Sequence, residues 1–210
     1  MSPSIGAIIL AAGLSSRMGR FKPLLPLGGA TVLERVVDLY RQAGVPEVRV
    51  VLGHRAQELS PLLRHGGARA VLNPDYREGM FSSVRAGVAG LGLEVAAFFI
   101  HPVDIPLVSP GTIAALCQAW ERGGRQVIYP CFQGRRGHPP LLCASLAGPI
   151  AAWPGEGGLK ALLRQYQDQA LEVPVADEFI LRDMDHPADY ERLAREWPRP
   201  RREPPAGGEG

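Results

Sequence analysis

The stretch Ile5-Gly-Ala-Ile-Ile-Leu-Ala-Ala-Gly-Leu-Ser-Ser-Arg-Met-Gly19 decides how the rest of the chain is read. Ile5 to Leu10 is an apolar run without helical spacing that stops at Ala11-Ala12-Gly13, the pattern of a buried strand entering a loop. Five residues separate Gly13 from Gly19, and Lys22 follows three later. A P-loop, G-x-x-x-x-G-K-[ST], has a shorter gap and a lysine directly after its second glycine, so spacing excludes it; the dinucleotide fingerprint GxGxxG is also absent. What remains is a strand-to-loop junction carrying glycine, the hydroxyls of Ser15 and Ser16, and the cations Arg17 and Lys22. Glycine lets backbone approach a phosphate, free N–H groups and hydroxyls donate to it, and the cations offset its charge. The same residue types also build an ordinary strand-to-helix turn with solvated charges, and by themselves leave both readings open.

Outward from this loop, strand and helix patterns alternate. Leu33, Val36, Val37 and Tyr40 recur at helical spacing behind a Thr31/Glu34 capping box, with Gly44 as the stop. Strands are expected at Val48 to Leu52, Ala70 to Leu72, Ala96 to Ile100 and Gln126 to Tyr129. Helices are expected at Gln57 to Arg64, Met80 to Leu91 and Thr112 to Glu121. Such alternation predicts a Rossmann-like α/β fold: three α/β/α layers around a mainly parallel sheet. Later come the Gly/Pro/Arg-rich segment Gly134 to Pro140 and helical patterns at Ala144 to Trp153 and Leu159 to Tyr166. Short strands are expected around Val173, Val175, Phe179 and Ile180, and a last helix with Pro187 in its first turn, ending near Trp197. One domain is expected over 1–197, with about 1–130 binding the nucleotide and about 131–197 facing an acceptor. The residues 198–210, dominated by proline, glycine and charge, are expected to be disordered.

Composition narrows the function classes. Basic residues exceed acidic ones by only two, so nucleic acid is not the default partner, while a local cationic cluster still suits a small anion. The three cysteines, Cys117, Cys131 and Cys143, form no CxxC pair and read as small apolar residues. No apolar run approaches membrane-spanning length and Met1 to Leu10 does not read as a signal peptide, so no membrane association and a cytoplasmic location are expected.

The wider pattern, Leu10-Ala-Ala-Gly-Leu-Ser-Ser-Arg-Met-Gly19 with Lys22 and Leu24-Leu-Pro-Leu27, resembles the signature LAAGxSxRMGxxKxLLPL of the molybdenum cofactor cytidylyltransferase family within the MobA-like nucleotidyltransferases. The resemblance extends to Asn73-Pro-Asp-Tyr-Arg-Glu-Gly-Met-Phe-Ser-Ser-Val-Arg-Ala-Gly87, Val103-Asp-Ile-Pro106, Gly137-His-Pro-Pro-Leu141 and Asp183-Met-Asp-His-Pro-Ala-Asp-Tyr190. It implies an Mg²⁺-dependent nucleotidyltransferase. The nucleotide would be bound by Leu10, Ala11, Ala12, Gly13, Ser15, Ser16, Arg17, Met18, Gly19 and Lys22, with Asn73, Gly79, Ser82 and Ser83, and Arg17 and Lys22 would contact phosphates. LAAG in place of LAGG favours CTP over GTP. A side chain at Ala12 narrows the base pocket, although one methyl contributes only about 1–3 kcal/mol of discrimination. Ser82 and Ser83 alternatively read as helix caps.

Asp104 follows an apolar strand at the sheet edge where ligands of open α/β sheets collect, and its type suits Mg²⁺, which takes one or two carboxylates plus phosphate oxygens. Its competing reading is a cap for the helix after Pro110. His101 and Pro102 depart from the commonest form of the family's D-x-P segment. Asp183 or Asp185 would complete the metal site, or Asp185 would cap a helix beginning near Pro187. The implied chemistry is attack by an already anionic acceptor phosphate on the α-phosphorus, catalysed by alignment and charge neutralisation through Arg17, Lys22 and Asp104.

Arg135, Arg136 and His138 lie where the family faces its acceptor; a solvated basic turn is the alternative for the arginines, and the spacing of His138 to Cys131 and Cys143 fits no common zinc pattern. The resemblance names molybdenum cofactor as acceptor, with a transient molybdoenzyme as a further partner. Two other readings stay open: a cytidylyl- or uridylyltransferase for a sugar phosphate or other small phosphorylated acceptor, and a non-catalytic delivery protein for molybdenum hydroxylase maturation.

Overall fold

In the computed structural model, which describes residues 4–64, 66–123 and 125–197, the opening apolar run is strand β1 (Ser4–Leu10), buried along almost its whole length. A small hairpin follows, β2 (Pro26–Leu27) and β3 (Ala30–Thr31), then α1 (Val32–Gln42), β4 (Glu47–Leu52), α2 (Ala56–Leu63), β5 (Arg69–Leu72) and α3 (Met80–Ala89). The second half continues with β6 (Val95–Pro102), α4 (Pro110–Glu121), β7 (Val127–Phe132), β8 (Arg135–Arg136) and β9 (Leu141–Cys143). It closes with α5 (Ala147–Ala152), α6 (Gly158–Arg164), β10 (Ala170–Pro174) and α7 (Pro187–Glu196). The expected tail lies outside the described residues.

The main sheet runs β10-β7-β9-β6-β1-β4-β5, with β8 paired to β7. Pairs β1/β4, β1/β6, β4/β5 and β10/β7 are parallel; β9 runs antiparallel between β6 and β7. The α/β fold with a mostly parallel sheet stands as the alternation predicts, and the antiparallel β9 is an addition to it. Because side chains alternate along a strand, β1 feeds both faces. Ala7 and Ile9 pack into the core shared with α1 and α4, while Ile8 and Leu10 pack into the core shared with α3, α5 and α6.

The expected capping box forms: the Thr31 hydroxyl accepts from the Glu34 amide at 3.2 Å, and the Glu34 carboxylate accepts from the Thr31 amide at 2.7 Å. Other expectations are corrected. Phe179 and Ile180 form no strand; they lie in the 3-10 turn Glu178–Leu181, because the Asp177 carboxylate captures the Phe179 amide at 3.1 Å and curls the chain. Ser109 caps α4, so Asp104 is not its cap. His186 holds the N-cap of α7, where its amide donates to Asp189 at 2.9 Å, and Asp185 is left free for other contacts. Gly79 precedes α3 with φ 105°, so Ser82 and Ser83 lie inside the first turn rather than at its cap. Among the described residues, no helix is long and apolar enough to cross a membrane.

Candidate active site

The parallel strands β1, β4, β5 and β6 end at one edge, and the loop after β1 is laced to its neighbours there. The Ala11 amide donates to the Val51 carbonyl at 3.0 Å, the His54 amide to the Ala12 carbonyl at 3.1 Å, and the Val103 amide to the Leu10 carbonyl at 3.1 Å. The loop therefore stands on three strands rather than hanging free. Ser15 adopts the left-handed region (φ 56°) and Gly19 does so again (φ 64°), turning the chain around the short 3-10 turn Ser16–Met18. Met18 is buried in the core beneath this turn, where its side chain anchors the loop.

Returning from that turn, the Lys22 amide donates to the Ser15 hydroxyl at 3.1 Å. The Lys22 side chain is 10% exposed, and its ammonium lies 2.9 Å from Asp104 Oδ2 and 2.9 Å from Asp185 Oδ1. Arg17, 67% exposed, reaches Asp185 Oδ2 at 2.5 Å. The two aspartates are brought together by backbone as well as charge, because the Met184 amide donates to the Asp104 carbonyl at 2.9 Å. Asp183 stands beside this cluster, outside the Lys22 pair.

The electrostatics follow the geometry. Burial works against the Lys22 charge, but the hydrogen bonds it donates to Asp185 and Asp104 and their attraction outweigh it and hold the ammonium above its usual range. The Lys22 bond holds Asp185 below the usual carboxylate range, against a smaller effect of burial, with Lys22, Arg17 and His186 adding their charges. Asp183 moves the other way, raised by burial and by the nearby carboxylates of Asp185, Asp104 and Asp189. Among the described residues no group of three or more His, Cys, Asp or Glu could hold a metal ion. Asp104 and Asp185 converge on the Lys22 ammonium, and as hard oxygen donors the two carboxylates are of the type that Mg²⁺ takes together with phosphate oxygens and water.

Two adjoining cavities open at this edge. The first, about 350 Å³, is lined by Leu10, Ala11, Ala12, Gly13, Ser15, Ser16, Arg17, Lys22, Gly79, Ser83 and Asp104, together with Tyr76, Arg77 and Met80. Asn73 is buried behind its wall and donates to both Ser82 Oγ (2.9 Å) and Ser83 Oγ (3.0 Å), while Ser82 donates to the carbonyls of Asp75 and Gly79. Gly19, Asn73 and Ser82 thus shape the first cavity without lining it. The second, about 690 Å³, shares Leu10, Met80 and Pro102 with the first and has an apolar wall including Phe81, Val84, Ile100 and Leu163. Arg136, His138, Lys160 and Arg164 supply its polar and charged groups. Arg136 also pairs with Glu172 at 2.7 Å and stacks on Tyr129, whereas Arg135 lies outside both cavities. Burial lowers the His138 pKa against the attraction of Asp104 and Asp183, and the ring lines the second cavity only.

Sequence reasoning missed Tyr76 and Arg77 as lining residues of the first cavity, and Lys160 and Arg164 as lining residues of the second. The signal for the last two was present: lysine and arginine four apart on a helix share one face.

Comparison with known proteins places this geometry among relatives. The family model described as MobA-like NTP transferase domain matches residues 7–170. The molybdenum cofactor cytidylyltransferase of Escherichia coli (strain K12) is 30% identical over 188 residues, covering 89% of this chain and 94% of the relative. The nicotine blue oxidoreductase of Paenarthrobacter nicotinovorans is 32% identical over 199 residues, covering 91% and 97%. Among solved structures, Rv0371C of Mycobacterium tuberculosis in complex with manganese is 25% identical with a TM-score of 0.77, covering 93% of this chain and 100% of that one.

Proposed function

The chain belongs to the MobA-like NTP transferase family, and from that membership we propose that it transfers CMP from CTP to molybdenum cofactor with release of pyrophosphate. The observation that carries this reading is Lys22, held by Ser15 on the loop and by Asp104 and Asp185 at its mouth. A buried cation and two neighbouring carboxylates at a glycine-containing loop suit a metal-bound triphosphate.

Each residue has a definite part. The loop Ala11 to Lys22 cradles the triphosphate, with Arg17 and Lys22 offsetting its charge. Asp104 and Asp185 would hold Mg²⁺, which when bound would polarise the α-phosphate and screen the leaving pyrophosphate. The manganese complex of a relative supports a divalent ion on this fold. Ala12, buried at the first cavity, leaves less room for a base than glycine would and favours a pyrimidine. The second cavity takes the acceptor: its apolar wall suits a ring system, and Arg136, Lys160 and Arg164 suit anionic groups on it. An acceptor phosphate oxygen forms the new bond to the α-phosphorus while the α–β bridging P–O bond breaks in line. The acceptor is already anionic near neutral pH, so no general base is needed. The proposed setting is the cytoplasm, with the product passed to a molybdoenzyme in a transient contact.

The test is pyrophosphate release from each of the four nucleoside triphosphates with Mg²⁺, with and without molybdenum cofactor. Release confined to CTP plus molybdenum cofactor is the expected result. Turnover only with another phosphorylated acceptor replaces the substrate, and turnover with GTP replaces the base. The relative with a redox name makes the remaining outcome concrete: binding without any nucleotidyl transfer would remove the transferase reading for this chain and favour delivery or another chemistry.

A further inference from the structure

At the end of β6, His101 is fully buried yet makes two well-formed polar contacts. Its Nδ1 lies 2.8 Å from the Tyr40 hydroxyl on α1, and its Nε2 lies 2.9 Å from the Ile105 carbonyl. A carbonyl only accepts, so Nε2 carries the hydrogen; the bare Nδ1 then accepts from Tyr40. The ring edges are packed as well, with Tyr40 tilted against Phe99 and nearly perpendicular to His101. Between His101 and Ile105 lies Asp104. Two backbone bonds complete the same turn: Ile105 N–H to Pro102 C=O at 3.2 Å, and Val103 N–H to Leu10 C=O at 3.1 Å.

We infer that His101 is a positioning residue: by donating Nε2–H to the Ile105 carbonyl it closes the turn that aims Asp104 at Lys22. The inference rests on the proposed role of Asp104. The physical need is specific. The turn Pro102 to Ile105 runs from the sheet edge toward the Asp183 to Asp185 segment, and a carboxylate there can swing unless its backbone is fixed at both ends. His101 fixes one end from inside the core. The Asp104 carbonyl, accepting from Met184, fixes the other. Loss of the first anchor releases Asp104 and loosens the register of Asp185 with it.

Three variants separate positioning from packing. In His101→Gln the side-chain amide nitrogen reaches about as far as Nε2 and keeps the donor to Ile105. In His101→Asn the amide reaches only as far as Nδ1 and the donor is lost. Tyr40→Phe removes the hydroxyl and leaves the Ile105 contact, serving as a control for lost core stability. Amide hydrogen exchange of Ile105 and Met184 needs no turnover and reads the turn directly. Expected are wild-type-like exchange in His101→Gln and Tyr40→Phe, and about tenfold or faster exchange in His101→Asn. In the transfer assay His101→Asn should lose roughly ten- to a hundredfold in kcat with little change in nucleotide KM, and His101→Gln should restore most of it. Glutamine and asparagine variants that behave alike in exchange, or that differ in exchange but not in kcat, overturn the inference. So does Tyr40→Phe matching His101→Asn. A wild-type protein without transfer activity would instead defeat the function proposed above, while the exchange measurement still decides whether His101 holds the turn.

Discussion

The Lys22 ammonium lies 2.9 Å from the Asp104 carboxylate across 82 residues of sequence, joining the loop after β1 to the turn after β6. Asp185 closes the same arrangement from a third segment at 2.9 Å. Lys22 is the cation common to both carboxylates, with Arg17 pairing only Asp185, so this residue bears on stability as well as on phosphate binding.

Lys22→Met should therefore cost about 1–3 kcal/mol of stability, because two partly buried carboxylates lose their common donor, and should also abolish detectable transfer. Arg17→Ala should behave differently. Its side chain is 67% exposed, so stability should change by less than about 0.5 kcal/mol, while the nucleotide KM rises roughly tenfold. Urea unfolding and steady-state kinetics on both variants check the split, and equal stability losses would contradict it.

Asp185 and Asp183 sit two apart and should have unequal parts. Asp185 engages Lys22 and Arg17, whereas Asp183 carries a raised pKa from burial and neighbouring carboxylates. Replacing Asp185 by alanine should raise the Mg²⁺ concentration for half-maximal activity by about tenfold or more. The same change at Asp183 should leave it nearly unaltered. A larger effect at Asp183 would exchange their assignments.

Lys160 and Arg164 on α6 line the second cavity, away from the loop. Converting both to glutamine should raise the acceptor KM by roughly tenfold, as expected for loss of charge-assisted contacts, with the CTP KM unchanged. A parallel rise in both constants would place them elsewhere in the reaction.

Burial pushes the His101 pKa from its ordinary 6.5 down to about 4, against the bond to Ile105 and with a small contribution from His138. The folded value is depressed, so as pH falls below 6.5 the unfolded chain takes up a proton that the folded one refuses. This group should remove about 1.4 kcal/mol of stability per pH unit down to roughly pH 4 and nothing further below it. Urea unfolding from pH 7 to 4.5 should show the slope, and His101→Gln should flatten it. The Asp185 contribution falls in a separate window: its depressed pKa stabilises above the ordinary carboxylate value of 3.8 and is lost as pH falls through the lower folded value.

Local signals carried much of the fold. The apolar run of β1, the Thr31/Glu34 box and the proline at the start of α7 are each decided by neighbouring residues, and each forms as read. β9 escaped because Leu141–Cys143 is too short to show a period, and its direction is set by pairing with β6 and β7. Phe179 and Ile180 have the apolar character of a strand, but the Asp177 carboxylate two residues before Phe179 captures its amide and curls the segment. At the candidate site, residue types and family spacing singled out Arg17, Lys22 and Asp104. Only the folded chain brings Asp185 rather than Asp183 onto Lys22, since a segment near the end must cross to the first loop. His101 looked like a departure from a motif; its contacts with Tyr40 and Ile105 are tertiary and have no local signature.

The most direct test of the account follows the α-phosphate itself. CTP labelled at the α-phosphorus is mixed with protein, Mg²⁺ and molybdenum cofactor in a single turnover, for the wild type and for Asp104→Ala, with thermal unfolding confirming that both are folded. The account predicts label on the acceptor with the wild type, none retained on the protein, and a loss of about a hundredfold or more with the variant. Label transferred at a near-normal rate by folded Asp104→Ala, or label held covalently on the protein, would contradict it.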